Sequence, residues 1–140
     1  MTTLDQATEI AICDNPLALE VAIRAAGADK APRITREDLE AAVSSEFYFR
    51  ADQAVAAGLN LADAAADMLP ASLSLMTFCV LVLRNGFTVT GESACASPEN
   101  FNAEIGRRIA RENAVAKVWP LMGYELKTAL AKADTGAEIR

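Results

Sequence analysis

Residues 75–95 read LMTFCVLVLRNGFTVTGESAC, and the turn inside this stretch decides the fold. Leu75 to Leu83 is rich in β-branched and aromatic residues, and Phe87 to Thr90 resumes the pattern after Asn85-Gly86. Asn-Gly between two such runs is the strongest short-range hairpin signal, because glycine and asparagine tolerate the positive φ that a tight turn demands. A two-residue type I′ loop sets Val82 opposite Val89, Val80 opposite Gly91 and Phe78 opposite Ser93. In that register Phe78, Val80, Val82, Phe87 and Val89 share one face. The first strand is then apolar on both faces and the second on one. A lone hairpin is marginal in water, so the first strand is expected to have a further neighbour, either a third strand or a second subunit.

Working downstream, Ser97-Pro98-Glu99 carries the marks of a helix start: a capping serine, proline at the first position and an acid against the dipole. Phe101, Ile105 and Ile109 follow at four-residue intervals as the expected buried stripe, continued by Ala116 and Trp119. Trp119-Pro120 is expected to end this helix, since a residue before proline avoids the helical region. A shorter helix then runs over 121–132, followed by a loose tail over 133–140.

Working upstream, Thr35 and Asp38 resemble a capping box, and Ile34 with Leu39 forms a hydrophobic staple. Leu39, Ala42, Val43 and Glu46 trace one side of a short helix. Phe47, Tyr48 and Phe49 follow consecutively and cannot share one helix face, so some must turn to a second surface, either core or partner. Residues 51–69 are alanine-rich and broken by Gly58, with Asn60 placed to cap a second short helix. Asn15-Pro16 starts an earlier helix and Gly27 stops it. Residues 3–13 are weakly helical. The reading is an α+β chain: an N-terminal helical extension over 1–30, an α+β domain over 31–132, and the tail.

Composition narrows the function. The chain has 140 residues, 52% of them hydrophobic but only 6% aromatic, so the core is expected to be aliphatic and thin. Net charge is −6, with 12 acids against 5 bases in residues 1–83 and 5 against 7 in residues 84–132. The acidic total argues against nucleic acid as a partner through the whole surface. No basic run precedes an apolar segment, and Phe78 to Leu83 is too short to span a bilayer, so a soluble protein without a membrane partner is expected. The three cysteines, Cys13, Cys79 and Cys95, form no CxxC pair and are read as reduced thiols.

No histidine occurs, which removes Ser-His-Asp and Cys-His machinery and the commonest metal ligand. Gly91-Glu92-Ser93-Ala94-Cys95 only superficially resembles a nucleophile elbow, lacking the final glycine. Cys95, just ahead of the expected helix, is the one candidate for a reactive thiol. No phosphate-binding glycine loop is present. No catalytic set, metal or cofactor is therefore expected. Arg84, Arg107, Arg108 and Arg111 are the candidate anion contacts. Arg107 and Arg111 share a helix face and repel each other unless acids or an anion lie between them. Phe78, Val80, Val82, Trp119 and Tyr124 are the candidate interface of a homo-oligomer.

The segment FCVLVLRNGFTVTGESACASPENFNAEIGRRIARENAVAKVWPLMGYEL, residues 78–126, closely resembles a tailed-phage protein family named after gene product 49 of one phage and gene 66 of another. NGFTVTGESAC, ENFNAEIGRRIARENA and WPLMGY carry the likeness, and APRITREDLEAAVSSEFYF resembles the family's usual lead-in. The resemblance covers roughly residues 31–130. It implies a phage or prophage product acting in bacterial host cytoplasm, and brings no assigned activity. The leading expectation is a small non-enzymatic accessory protein that sequesters a host or defence protein or a small anionic ligand. The alternatives are a nucleic-acid-associated replication accessory protein, a minor structural phage protein, and a cysteine-dependent enzyme acting through Cys95.

Overall fold

The computed structural model describes residues 16–138. The helical expectation for residues 3–13, the Asn15 cap and Cys13 lie outside the described residues. The architecture is α+β: a three-stranded antiparallel sheet in the order β1-β2-β3, with one long helix laid across one face. Helix α1 (Pro16–Ala25) starts at the expected proline and is followed by Gly27 with φ 68°. Helix α2 (Arg36–Ala42) has the capping box read from the sequence. The Thr35 amide donates to Asp38 Oδ2 at 2.9 Å, and the Asp38 amide donates to Thr35 Oγ1 at 3.1 Å. Those bonds satisfy amides a helix end leaves orphaned.

The helix stops at Ala42, earlier than Glu46, because strand β1 (Val43–Arg50) begins there. A strand resolves the three consecutive aromatics, since successive side chains point to opposite faces. Phe47 and Phe49 go one way and Tyr48 the other. β1 is also the neighbour expected for the hairpin's first strand. Its partner β2 (Met76–Leu83) lies in the centre, paired to β1 on one side and to β3 (Thr88–Ala94) on the other. Between β1 and β2 run helix α3 (Ala51–Gly58), the short helix α4 (Asp63–Ala66) and a 3-10 turn over Ala71–Leu75. Ala62, not Asn60, precedes α4. Asn60 instead takes φ 52° in the turn before it.

The hairpin turns where expected, but its register is shifted by one residue. Val82 lies opposite Thr88, Leu81 opposite Val89 and Cys79 opposite Gly91. The loop has three residues, Arg84-Asn85-Gly86. The Leu83 amide donates to the Phe87 carbonyl at 2.8 Å, and the Gly86 amide donates back to the Leu83 carbonyl at 2.9 Å. Of these three residues only Gly86 has a positive φ, 86°. A type I′ turn would force Asn85 there as well, while the three-residue loop asks it of glycine alone. A one-residue shift exchanges the faces of a strand. Cys79, Leu81 and Leu83 therefore point with Val89 into the core, and Phe78, Val80 and Val82 point to the open face.

Helix α5 runs unbroken from Ala103 to Glu138. Ser97-Pro98-Glu99 leads only into a 3-10 turn, Pro98–Asn100, and Asn102 caps α5 by accepting from the Ile105 amide at 3.0 Å. Pro120 sits inside the helix rather than ending it, and residues 133–138 are helical rather than a loose tail. Proline deprives the Ala116 carbonyl of its helical donor. Ala116 and Pro120 are both exposed, so water can serve that carbonyl instead.

The buried stripe of α5 is not the expected one. Gly106, Ala110, Ala114, Val115 and Val118 are buried, while Ile105, Ile109 and Trp119 are 56%, 47% and 36% exposed. Small side chains win because the backbone of α5 approaches β3 closely. A Cβ on Gly91 would lie 2.1 Å from the Ala110 carbonyl oxygen and 2.3 Å from the Ala114 nitrogen. Past this contact the gap widens, and Val115 and Val118 fill it against Leu81, Leu83 and Val89, with Leu39 closing the side.

Candidate functional site

The four arginines singled out in the sequence do not converge. Arg84 lies at the hairpin loop, where its Nε donates to the Ala41 carbonyl and its backbone amide to the Ala42 carbonyl. It borders a cleft of about 390 Å³ with Phe87, Leu121, Met122 and Glu125. Arg107 stands near the start of α5, beside a smaller cleft of about 100 Å³ lined by Tyr48, Gln53, Thr77 and Phe101. Roughly 22 Å of helix separates Arg107 from the residues around Arg84, at about 1.5 Å per residue. Arg108 is exposed on a third side of α5.

Arg111 is committed to the fold. Its guanidinium makes a two-pronged contact with Glu40, at 2.6 and 3.0 Å, and a third bond to Glu46 at 2.8 Å. Arg36 continues the chain, reaching Glu40 at 3.1 Å and Glu112 at 2.9 Å. The acids that relieve the repulsion between Arg107 and Arg111 are thus Glu40 and Glu46. They tie α2 and β1 to α5. Nothing in the sequence pairs Glu40 or Glu46 with Arg111, which lies 65 or more residues away, so only tertiary contact could bring them together.

The network has a pH signature. The hydrogen bond from Arg111 is the main reason that Glu40 sits below its ordinary value of 4.5, with the charges of Arg111 and Arg36 helping and desolvation opposing. A carboxylate lowered on folding stabilises the native state fully above its unfolded value, and that contribution disappears as pH falls through the folded value. Arg111→Met is expected to lose this component. Urea unfolding measured at a series of pH values should then fall less steeply below pH 4.5 in the variant than in the wild type.

Tyr48 and Cys79 face each other in the core. Burial first, and then the neighbouring Cys79 and Glu46, push the Tyr48 hydroxyl up to about 12, and burial likewise raises the Cys79 thiol. Both shifts favour the neutral forms of the pair, in which the thiol is not the nucleophilic thiolate. Cys95 follows β3 rather than preceding a helix terminus, since α5 begins only at Ala103. Its Sγ donates to the Ser97 carbonyl at 3.2 Å. Ser93 lies in the ladder opposite Thr77, away from any elbow. Among the described residues no three Cys, Asp or Glu side chains are grouped as metal ligands, and no helix is long and apolar enough to cross a membrane.

The candidate interface residues occupy two separate surfaces. Phe78, Val80 and Val82 line the open face of the sheet with Phe47 and Phe49, and the rings of Phe49 and Phe78 stack with centroids 5.2 Å apart. Phe47 remains 58% exposed there. Trp119 and Tyr124 lie on α5, and Tyr124 is exposed.

No curated protein and no solved structure matches the chain. A family profile does, over residues 34–130, a span that takes in α2, all three strands and most of α5. The close approach at Gly91, the hairpin and the capped α2 all fall within it. The chain belongs to the phage protein (N4 Gp49/phage Sf6 gene 66) family.

Proposed function

We propose that this phage protein is a non-enzymatic accessory protein that works by binding, in the host cytoplasm, to a host or defence protein. The observation that carries the reading is the open face of the sheet. Phe47, Phe49, Phe78, Val80 and Val82 form one contiguous apolar surface on the side away from α5. Contiguous exposed apolar patches on soluble proteins mark interaction sites far more often than isolated exposed residues do. Thr88 and Thr90 give the patch a polar rim on the β3 side.

The chemistry elsewhere agrees with a binding role. The half-buried tyrosine and the buried thiol favour their neutral forms, and Arg111 is held by two glutamates. That commitment also weakens the case for a nucleic-acid partner, since Arg111 is not free to meet a phosphate.

Tagged wild-type protein and a Phe47→Asp variant should be compared as baits in host lysate. Retention of a host protein by the wild type, lost in Phe47→Asp and reproduced with the purified partner at micromolar concentration, is the expected result. Equal retention by both baits, or none by either, would remove the open face as the working surface. Phe47 is exposed, so the substitution leaves the core intact.

A further inference from the structure

The outward side of α5 carries a second regularity. Ile105, Ile109, Glu112, Ala116, Trp119, Gly123, Leu126, Leu130 and Ala133 are spaced alternately four and three residues apart, without interruption. This is the heptad spacing of a coiled-coil seam, with a mean period of 3.5 residues, sustained over four heptads. All but one of these residues are apolar or glycine. All are exposed except Leu126, which is half-buried. The exception in chemistry, Glu112, is already held by Arg36 at 2.9 Å. Around Ile105, Ile109 and Ala116 the seam lies on the other side of α5 from Ala110 and Ala114, and none of its residues belongs to the buried core cluster.

We propose that α5 pairs antiparallel with α5 of a second copy along this seam. A 3.5-residue seam is matched by another helix of the same period, and a second copy supplies one with the same length and spacing. The antiparallel sense follows from the side chains. In a parallel pair Glu112 would face Glu112 and Trp119 would face Trp119, which sets like charges and two bulky rings against each other. In the antiparallel pair Trp119 faces Ala116, Ile109 faces Leu126, Ile105 faces Leu130, and Glu112 faces Gly123. The ring and the carboxylate each meet a small residue, and the two outer pairs set isoleucine against leucine. A Cβ on Gly123 would touch nothing in its own chain, leaving space for the facing residue. Lys127 of the second copy, one turn from its Gly123, complements Glu112. Opposed helix dipoles add to the preference.

The seam from Ile105 to Ala133 is about 42 Å long, and a helix is about 10–12 Å wide, so the projected contact is roughly 1,000 Å² over both chains. That is close to the lower bound of about 1,000 Å² for a specific interface. The pairing also explains the length of α5. Residues after Met122 extend past the chain's own buried core, and in the antiparallel arrangement they cover Ile105 and Ile109 of the second copy. This interface uses the helix, so it stands whether or not the open sheet face binds a host protein.

The test is light scattering of the full chain at micromolar concentration, followed by directed cross-linking. The wild type should have the mass of a dimer. Trp119→Glu and Ile109→Glu should each weaken dimerisation by at least about 30-fold, the effect of losing one central anchor. Both positions are exposed, so circular dichroism and Tm confirm the fold of the monomer. In a Cys13→Ser, Cys95→Ser background, Ile105→Cys mixed with Leu130→Cys should form a disulfide under mild oxidation. Leu130→Cys alone should not, because the two copies of residue 130 lie about 38 Å apart, and disulfides need Cα atoms within about 7 Å. A monomeric wild type would overturn the proposal. So would self-linking of Leu130→Cys, or a dimer indifferent to Trp119→Glu yet split by Val80→Glu.

Discussion

Gly91→Ala is expected to cost at least about 3 kcal/mol, enough to consume much of the stability of a domain this size. A methyl group there would sit 2.1 Å from one backbone atom of α5 and 2.3 Å from another. Neither atom can swing away as a side-chain tip could. The whole helix would have to lift from β3, opening space around Val89, Val115 and Val118 while removing their contacts. Overpacking that side chains absorb costs about 1–3 kcal/mol, and a displaced helix adds lost burial at about 25 cal/mol per Å². Gly136→Ala is the matched control. It lies in α5, whereas Gly91 lies in β3, and has nothing within 4 Å, so the exchange should stabilise by up to about 1 kcal/mol. Urea denaturation of the two variants beside the wild type measures both effects. Wild-type stability in Gly91→Ala would contradict the close packing of α5 on the sheet.

Leu81→Ala is the second large effect, at about 2–5 kcal/mol, because Leu81 is fully buried and its truncation leaves a cavity. Its neighbour Val80 gives the informative contrast. Val80 faces the open side of the sheet, so Val80→Ala should cost less than about 1 kcal/mol. The two residues are adjacent in sequence and similar in chemistry, so the ratio of their effects reports which side of β2 faces α5. Measured by the same denaturation, the opposite ordering would restore the register of a two-residue turn, in which Phe78, Val80 and Val82 take the core.

That register shows where sequence reasoning reached its limit. The position of the turn was legible, because Asn85-Gly86 separates two β-rich runs. Its loop length was not, because glycine satisfies a positive φ in both the two- and three-residue versions. Alternation could not arbitrate, since β2 is apolar on both faces. Gly91 could not arbitrate either, since it shares the face of Val89 in both registers and only the partners on β2 change. Strand β1 was hidden by the helical spacing of Leu39, Ala42, Val43 and Glu46 running directly into it. The three consecutive aromatics were the signal against a helix, and they also supplied the neighbour that β2 required.

The long helix taught a different lesson. Its large apolar residues were read as the core stripe, and Gly106, Ala110 and Ala114 were passed over. Gly106, Ala110 and Ala114, at four-residue spacing, are the better marker of a helix meant to approach a sheet closely. Ile105, Ile109 and Trp119 are surplus to the core, which is why they are available for something else. The arginines were legible as residues but not as roles. Nothing in the sequence of α5 announces that Arg111 answers to Glu40 and Glu46 while Arg107 does not.

The length of α5 has a consequence for how the native state opens. The strands span about 26 Å at about 3.3 Å per residue, whereas the helix spans about 54 Å. Its proximal half shares side-chain contacts with the sheet, so amide exchange there requires loss of the whole fold. The distal half has only its own hydrogen bonds, and in a single chain it exchanges by fraying, at the small free energy of the helix–coil balance. One continuous helix thus contains two regimes of protection, with the boundary near Met122.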